Sequence, residues 1–361
     1  MIKKDNKIFF LFIIFVLLFL FSTTKYLSLF DIIYTAGQMD VISYTEISKH
    51  APSLPYNSEI IIKHIAQRFL VPYIAGSIAY YTQIEIFTVF KFLTYSFILL
   101  FLLITIIYLN KTNYEIREKI LFFSFLFLNP YIVRHHIFQP IQSHDILFFS
   151  IGLIVSYLII MNQNKLLIFF AVIPIFLRQT AIAIFISSFI FLINNKKFLY
   201  SFVMVLLFFI SFYFISVISN KISTDTFNYD YAYGIIYYDF SQIEKLIRFL
   251  CLPLVSFFPL GIFLFSKKRM NTDFIKSMIL LSICLMMIAQ PILAGPDGSL
   301  RNVVRITTLC YPIMLVLLFY NFSLKKLISK NYIYYSYLLC LFFWSLHPTF
   351  SIFSFFSILR F

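Results

Sequence analysis

At 361 residues, 61% of them hydrophobic and 12% charged, the chain is too apolar for a soluble domain, which averages about half apolar and a quarter charged. A net charge of +14 would point to nucleic acid in a soluble protein. In a chain dissolved in lipid, Lys and Arg set orientation instead, so the expected partner is the bilayer and no nucleic acid is expected.

Composition also bears on packing. Phe at 49 and Tyr at 25 supply lipid-facing bulk and interfacial anchors, whereas Gly at 7 leaves little room for close backbone approach, so helix contacts must rely on large side chains. The cysteines Cys251, Cys284, Cys310 and Cys340 all fall in apolar runs, where neither a disulfide framework nor a metal knuckle is readable.

Residues 1–24 pair Lys3, Lys4 and Lys7 with a long apolar run and lack a small-x-small cleavage site at Ser22-Thr23-Thr24-Lys25. They predict an uncleaved signal anchor that becomes the first helix. Further apolar runs of spanning or near-spanning length occupy 86–109, 120–133, 146–161, 166–193, 198–218, 249–265, 274–294, 306–322 and 332–347. The 166–193 run is too long for one ordinary span and carries Pro174 and Arg178 at its middle, which predicts two short helices meeting near the outer surface. The expected fold is an all-α, polytopic transmembrane helical bundle of about ten to eleven spans, a single domain over 1–361. Its long first outer loop should hold interfacial helices, one near Arg68 to Ala79. No internal repeat, inverted-repeat signature or low-complexity linker is visible.

The connections carry an asymmetric charge. One set holds Lys3, Lys4, Lys7, Lys111, Arg117, Lys119, Lys165, Lys196, Lys197, Lys267, Lys268, Arg269, Lys276, Lys325, Lys326 and Lys330 against Asp5, Glu115, Glu118 and Asp273. By the positive-inside rule that set is cytoplasmic, with the N-terminus inside and the chain a multi-pass protein of the cytoplasmic (inner) membrane. The other carboxylates, Asp31, Asp40, Asp145, Asp230 and Asp297 among them, fall in the alternate set with every histidine. The chemistry-bearing residues are therefore expected on the outer face, in segments 25–85, 134–145, 219–248 and 295–305.

Within the first outer segment, Asp40 and Tyr44 are i, i+4 neighbours on a helix, so a carboxylate and a phenol could address one ligand; a solvated acid beside an interfacial tyrosine is the plainer alternative. Segment 134–145, Arg134-His135-His136-Ile-Phe-Gln139-Pro-Ile-Gln142-Ser-His144-Asp145, is dense in hydrogen-bonding groups just before a helix. Asp145 suits an N-cap or first turn, where the helix dipole favours a negative charge. His135, His136, His144 and Asp145 could in principle take a divalent metal, but adjacent histidines do not share a helical face and a His-x-x-x-His spacing is missing, so no metal or other cofactor is expected.

Arg178-Gln179 lies between two apolar half-helices, where a charge at the membrane midplane costs about 2.5 to 3.5 kcal/mol; it is either interfacial or paired in a polar cavity. Gly295-Pro-Asp297-Gly-Ser-Leu-Arg301-Asn302-Val-Val-Arg305 reads as a turn into a helix start. It sets Arg301 and Arg305 on one face near free backbone N–H groups, an arrangement suited to bidentate phosphate contacts or to ordinary lipid phosphates. Tyr229, Tyr231, Tyr233, Tyr237 and Tyr238, interleaved with Asp230 and Asp239, could stack on sugar rings, although an interfacial belt explains them as well.

The Asp40-to-Tyr44 spacing after the first helix and the Arg68-Phe-Leu-Val-Pro72 turn resemble the GT-C superfamily of membrane glycosyltransferases, especially bacterial mannosyl- and arabinosyltransferase-like members. The Asp-Asp or Asp-Glu pair of several such families is absent. The resemblance implies transfer of a sugar from a polyprenyl-phosphate donor to a glycan, lipid or protein acceptor on the outer side of the membrane. Asp40 would be the catalytic base. Tyr44, Arg68, His144, Asp145, Arg178, Gln179, Arg301 and Arg305 would bind substrate, the arginines on the leaving phosphate. The competing functions are a polysaccharide polymerase or ligase, and a transporter or flippase of lipid-linked glycan; few midmembrane carboxylates argue against the last.

Overall fold

The computed structural model describes residues 4–24, 38–224, 256–270, 272–293 and 304–346. Long runs of Phe, Ile and Leu must satisfy their backbone N–H and C=O groups internally in an apolar medium, and the helix does so within one segment. The described chain is accordingly all-α apart from a two-residue ladder, Lys267–Lys268 against Phe322–Ser323. Five helical stretches are long and apolar enough to cross a membrane: Lys7–Thr24, Ile86–Lys111, Ile116–Phe138, Pro140–Ile160 and Phe198–Ile222. The shorter apolar helices are Asn164–Phe176, Ala181–Asn194, Phe274–Gln290 and Tyr311–Asn321.

The first helix, α1 (Lys4–Thr24), is followed by α2 (Gln38–His50), the short α3 (Lys63–Ala66), α4 (Leu70–Thr82) and the long α5 (Ile86–Lys111). α4 falls where the first outer loop was expected to hold a helix, and it packs on α2 at very close range. A Cβ added at Gly76 of α4 would stand 2.0 Å from the Ser48 carbonyl oxygen of α2, so the contact depends on glycine. Ser48 closes the same seam, its hydroxyl shared between the carbonyls of Tyr44 (2.9 Å) and Pro72 (2.8 Å).

α6 (Ile116–Phe127) opens on a capping box in which Glu115 and Glu118 exchange side-chain to backbone hydrogen bonds. It gives way to a π-helical turn, Pro130–Arg134, then α7 (His135–Phe138), a 3-10 turn at Pro140–Gln142, and α8 (His144–Ile160). Thr94 of α5 donates to the Pro140 carbonyl (3.1 Å), Phe101 meets Phe149 (6.3 Å) and Tyr108 meets Tyr157 (6.2 Å). α5 and α8 thus run parallel, with α6 antiparallel between them in sequence.

The apolar run at 166–193 divides as its Pro174 and Arg178 predict. α9 (Asn164–Val172) passes through a 3-10 turn at Ile173–Phe176, the chain turns at 177–180, and α10 (Ala181–Asn194) returns. α11 (Phe198–Ile222) follows. Only 17% of the most apolar window of α11 is buried against 83% for Ile116–Phe138, so α11 is peripheral and α6 central. Of the 249–265 run, residues 256–265 are described, and within them Phe258–Phe265 forms a 3-10 helix with Pro259 in its first turn, where its missing N–H has no bond to lose.

Connections sort to two ends. At one, Lys325 Nζ meets Glu115 (2.9 Å), Arg117 donates to the Ile328 carbonyl (2.6 Å) and Lys276 donates to the Ile160 carbonyl (2.7 Å). This lysine-rich end gathers the connections that the charge count groups together. The starts of α8 and α10 and the end of α1 lie at the other. Between them Phe101, Phe122, Phe123, Phe127, Phe148 and Phe149 are fully buried. Outside the described residues lie Asp31, Tyr229 to Asp239, Cys251, Gly295, Asp297, Arg301 and Phe361.

Candidate functional site

The site is built where the 3-10 turn at Pro140–Gln142 delivers the chain into α8. Asp145 falls in the first turn of α8 and is fully buried. Its carboxylate is gripped from the turn between α9 and α10: Arg178 donates Nε–H to Oδ1 (2.5 Å) and Nη2–H to Oδ2 (2.6 Å), the parallel fork that guanidinium and carboxylate favour. Arg305 adds a third donor, Nε–H to Oδ2 at 3.1 Å. His144 Nε2 stands 3.4 Å from Oδ1 and His136 Nε2 3.7 Å from Oδ2.

A carboxylate has about four lone-pair positions. Three are taken by charged donors and imidazoles crowd the fourth, so Asp145 is a poor proton acceptor and a good anchor for two arginines. Their sequence separations from it, 33 and 160 residues, mean that one buried acid ties three distant parts of the chain together.

α2 and α4 close the site from the first outer loop. Tyr44 is fully buried, with its hydroxyl 3.3 Å from His144 Nε2 and its ring edge-on to that imidazole at 5.2 Å. Arg68 donates Nε–H to Gln179 Oε1 (2.9 Å), and Gln179 returns Nε2–H to Gln67 Oε1 (2.8 Å) and the His64 carbonyl (2.6 Å). Gln179 therefore works as a clasp that holds Arg68 beside Arg178. Arg68 is close enough to act electrostatically on both Arg178 and His144, yet its hydrogen-bond partner is a neutral amide.

Of the residues singled out in the sequence, Tyr44, Arg68, His144, Asp145, Arg178, Gln179 and Arg305 come together here. Asp40 lies in α2, one helical turn before Tyr44, with its side chain outside the described residues, as is the whole of Arg301. Adjacent His135 and His136 pack edge-to-face at 5.0 Å but take different partners: His135 Nε2 meets Gln142 Oε1 (3.1 Å), while His136 Nδ1 meets the Ile132 carbonyl. Among the described residues no group of three His, Cys, Asp or Glu stands as metal ligands would.

Arg134 heads the segment 134–145 without a role of its own in the sequence, and it is fully buried. It donates to the hydroxyls of Thr23 (2.9 Å), Thr24 (3.2 Å) and Ser345 (3.1 Å) and lies 5.6 Å from the Phe19 ring centroid, binding the ends of α1 and the Asn331–Leu346 helix to the turn before His135. Hydroxyl partners so distant in sequence leave no charge pattern by which to find it.

Comparison with protein-family models, with curated proteins and with solved structures gives no match in any of the three. The functional argument therefore rests on the geometry of the site.

Proposed function

We propose that the chain is a multi-pass glycosyltransferase of the cytoplasmic membrane. It would take a sugar from a polyprenyl-phosphate donor and pass it to a glycan, lipid or protein acceptor at the outer face. The observation that carries this reading is the convergence of Arg68, Arg178 and Arg305 around the buried Asp145. Asp145 fixes two of the guanidinium groups, and Arg68 is held beside them on a neutral amide, which suits the site to a phosphate.

In the transfer, the acceptor oxygen bonds to the anomeric carbon as the bond from that carbon to the phosphate oxygen breaks. The electron pair leaves with the phosphate, where the arginines stabilise it. The acceptor proton goes to the Asp40 carboxylate, one turn from Tyr44. Asp145, already saturated, positions the arginines. With the lysine-rich end in the cytosol by the positive-inside rule, the arginine cluster faces outward. The buried phenylalanines of α5, α6 and α8 between the two ends favour a transferase over a flippase, which needs a polar route.

The test uses the full-length protein in liposomes with a radiolabelled polyprenyl-phosphate sugar and a mixture of glycan and lipid acceptors supplied outside, and follows both donor binding and label transfer. Transfer is expected, and Asp40→Asn should lower it about a hundred- to ten-thousand-fold at equal protein abundance. A cysteine at Asn57 should react with an impermeant reagent added to whole cells. Absence of both donor binding and transfer sinks the enzymatic reading, and labelling of Asn57→Cys only after permeabilisation sinks the orientation.

A further inference from the structure

At the lysine-rich end, the far terminus of α8 borders a cavity of about 550 Å³. This is within the range of about 300 to 1,000 Å³ in which small ligands are held. Since α8 has 17 residues, the cavity lies about 25 Å from Asp145 along the helix, too far to belong to the arginine site.

Its polar wall is formed by Tyr108, Lys111, Asn113, Tyr114, Tyr157 and Arg269, and its apolar side includes Met161 and Phe319. No Asp or Glu is among its described lining residues. The Tyr108 and Tyr114 hydroxyls stand 3.4 Å apart, with the Tyr157 ring 6.2 Å from that of Tyr108. Arg269 is spent on Glu118 (3.0 Å) and on the Phe322 carbonyl (3.0 Å), and its guanidinium covers the Tyr114 ring at 5.3 Å. It therefore shapes the wall, and Lys111 contributes the net charge. Among the described residues neither Lys111 Nζ nor the Tyr157 hydroxyl has a side-chain partner, whereas the nearby Lys276 donates to Ile160 and lies 4.0 Å from Asp273. Burial pushes the Tyr114 phenol up to about 12, further from the physiological range in which a tyrosine hydroxyl is already neutral.

We propose that this cavity seats a phosphate-bearing head group, with its anionic oxygens on Lys111 and the tyrosine hydroxyls and any apolar part against Met161 and Phe319. The described lining offers a cation and several O–H donors, and Glu118 behind it is matched by Arg269, so the wall favours an anion. Aromatic hydroxyls with an apolar flank also match the boundary between lipid head groups and acyl chains. The proposal is independent of the transferase reading.

The experiment follows thermal unfolding of the full-length protein in a neutral maltoside detergent, titrated with dioleoyl-phosphatidylglycerol and separately with inorganic phosphate. At least one should raise the melting temperature saturably. Lys111→Gln should raise the half-saturating concentration roughly tenfold, as expected for loss of one charge-assisted contact. Lys165→Gln, an exposed lysine at the same end that does not line the cavity, should leave it unchanged. A response to phosphatidylglycerol alone identifies a membrane lipid as the source, and a response to inorganic phosphate identifies a soluble phosphate. No saturable response to either, or equal behaviour of the Lys111→Gln and Lys165→Gln proteins, overturns the assignment.

Discussion

Asp145 and Glu118 are both fully buried acids in the first turn of a helix, and both are held by arginine, but their surroundings differ in kind. Glu118 takes its hydrogen bonds from Arg269 (3.0 Å), the Ser323 hydroxyl (3.3 Å) and the backbone N–H groups of Leu324 (3.2 Å) and Glu115 (3.4 Å). One carboxylate faces one guanidinium, and every donor belongs to a chain segment that needs fastening at the lysine-rich end. Asp145 takes its short contacts from the side chains of Arg178 and Arg305, and the Gln179 clasp sets Arg68 close by. The first arrangement sets one guanidinium on one acid, while the second brings two guanidinium groups onto one acid with a third nearby. Two buried acids of similar local position thus differ in what surrounds them, and the proposed function rests on that difference.

The largest effect that could break this comparison is expected from Asp145→Ala. It leaves Arg178, which is only 4% exposed, without its counter-charge, a loss of about 3 to 5 kcal/mol for a buried pair stripped of one partner. Melting temperature and membrane abundance should both fall. A variant as stable as wild type would show that the arginines do not depend on Asp145.

Glu118→Gln should cost less, about 1.5 to 3 kcal/mol, because Arg269 is 27% exposed and can turn to water. Donor binding at the arginine site, measured on the surviving folded protein, should be unchanged. A selective loss of donor binding at intact stability would place Glu118 in the functional class. Comparable in size is Gly76→Ala. Forcing a methyl against the Ser48 carbonyl should cost about 1 to 3 kcal/mol by overpacking, read as a lower melting temperature; an unshifted melt would mean that α2 and α4 separate freely.

The sequence carried the class of fold and the cations of the site, but little of the wiring between them. Helices followed from apolar run length, and the break at 173–180 from Pro174 and Arg178, since each depends on local residues alone. Arg178 stands out because charge is expensive in an apolar chain, and Arg305 because it shares a face with Arg301 just after a turn. Asp145 was read chiefly as a first-turn acid, because its partners lie 33 and 160 residues away and no spacing rule reaches that far. Tyr44 looked available to a ligand on its own helix, yet His144, 100 residues on, buries it.

The smallest expected effect is the sharpest probe of the comparison, and it falls on Arg68. Its side chain is half-buried and hydrogen-bonds a neutral amide, so removing its charge leaves no buried ion uncompensated. Arg68→Gln should therefore leave the melting temperature near wild type, in contrast to Asp145→Ala. If the cluster exists to hold phosphate, the same change should raise the apparent KM for the polyprenyl-phosphate donor roughly tenfold, the equivalent of about 1.4 kcal/mol of lost charge-assisted contact. Arg68→Lys should recover part of this, since it restores the charge without the planar fork. A glutamine variant with normal donor use would reduce Arg68 to a fastener between α4 and the turn at Gln179. The arginine end would then resemble the Glu118 end after all.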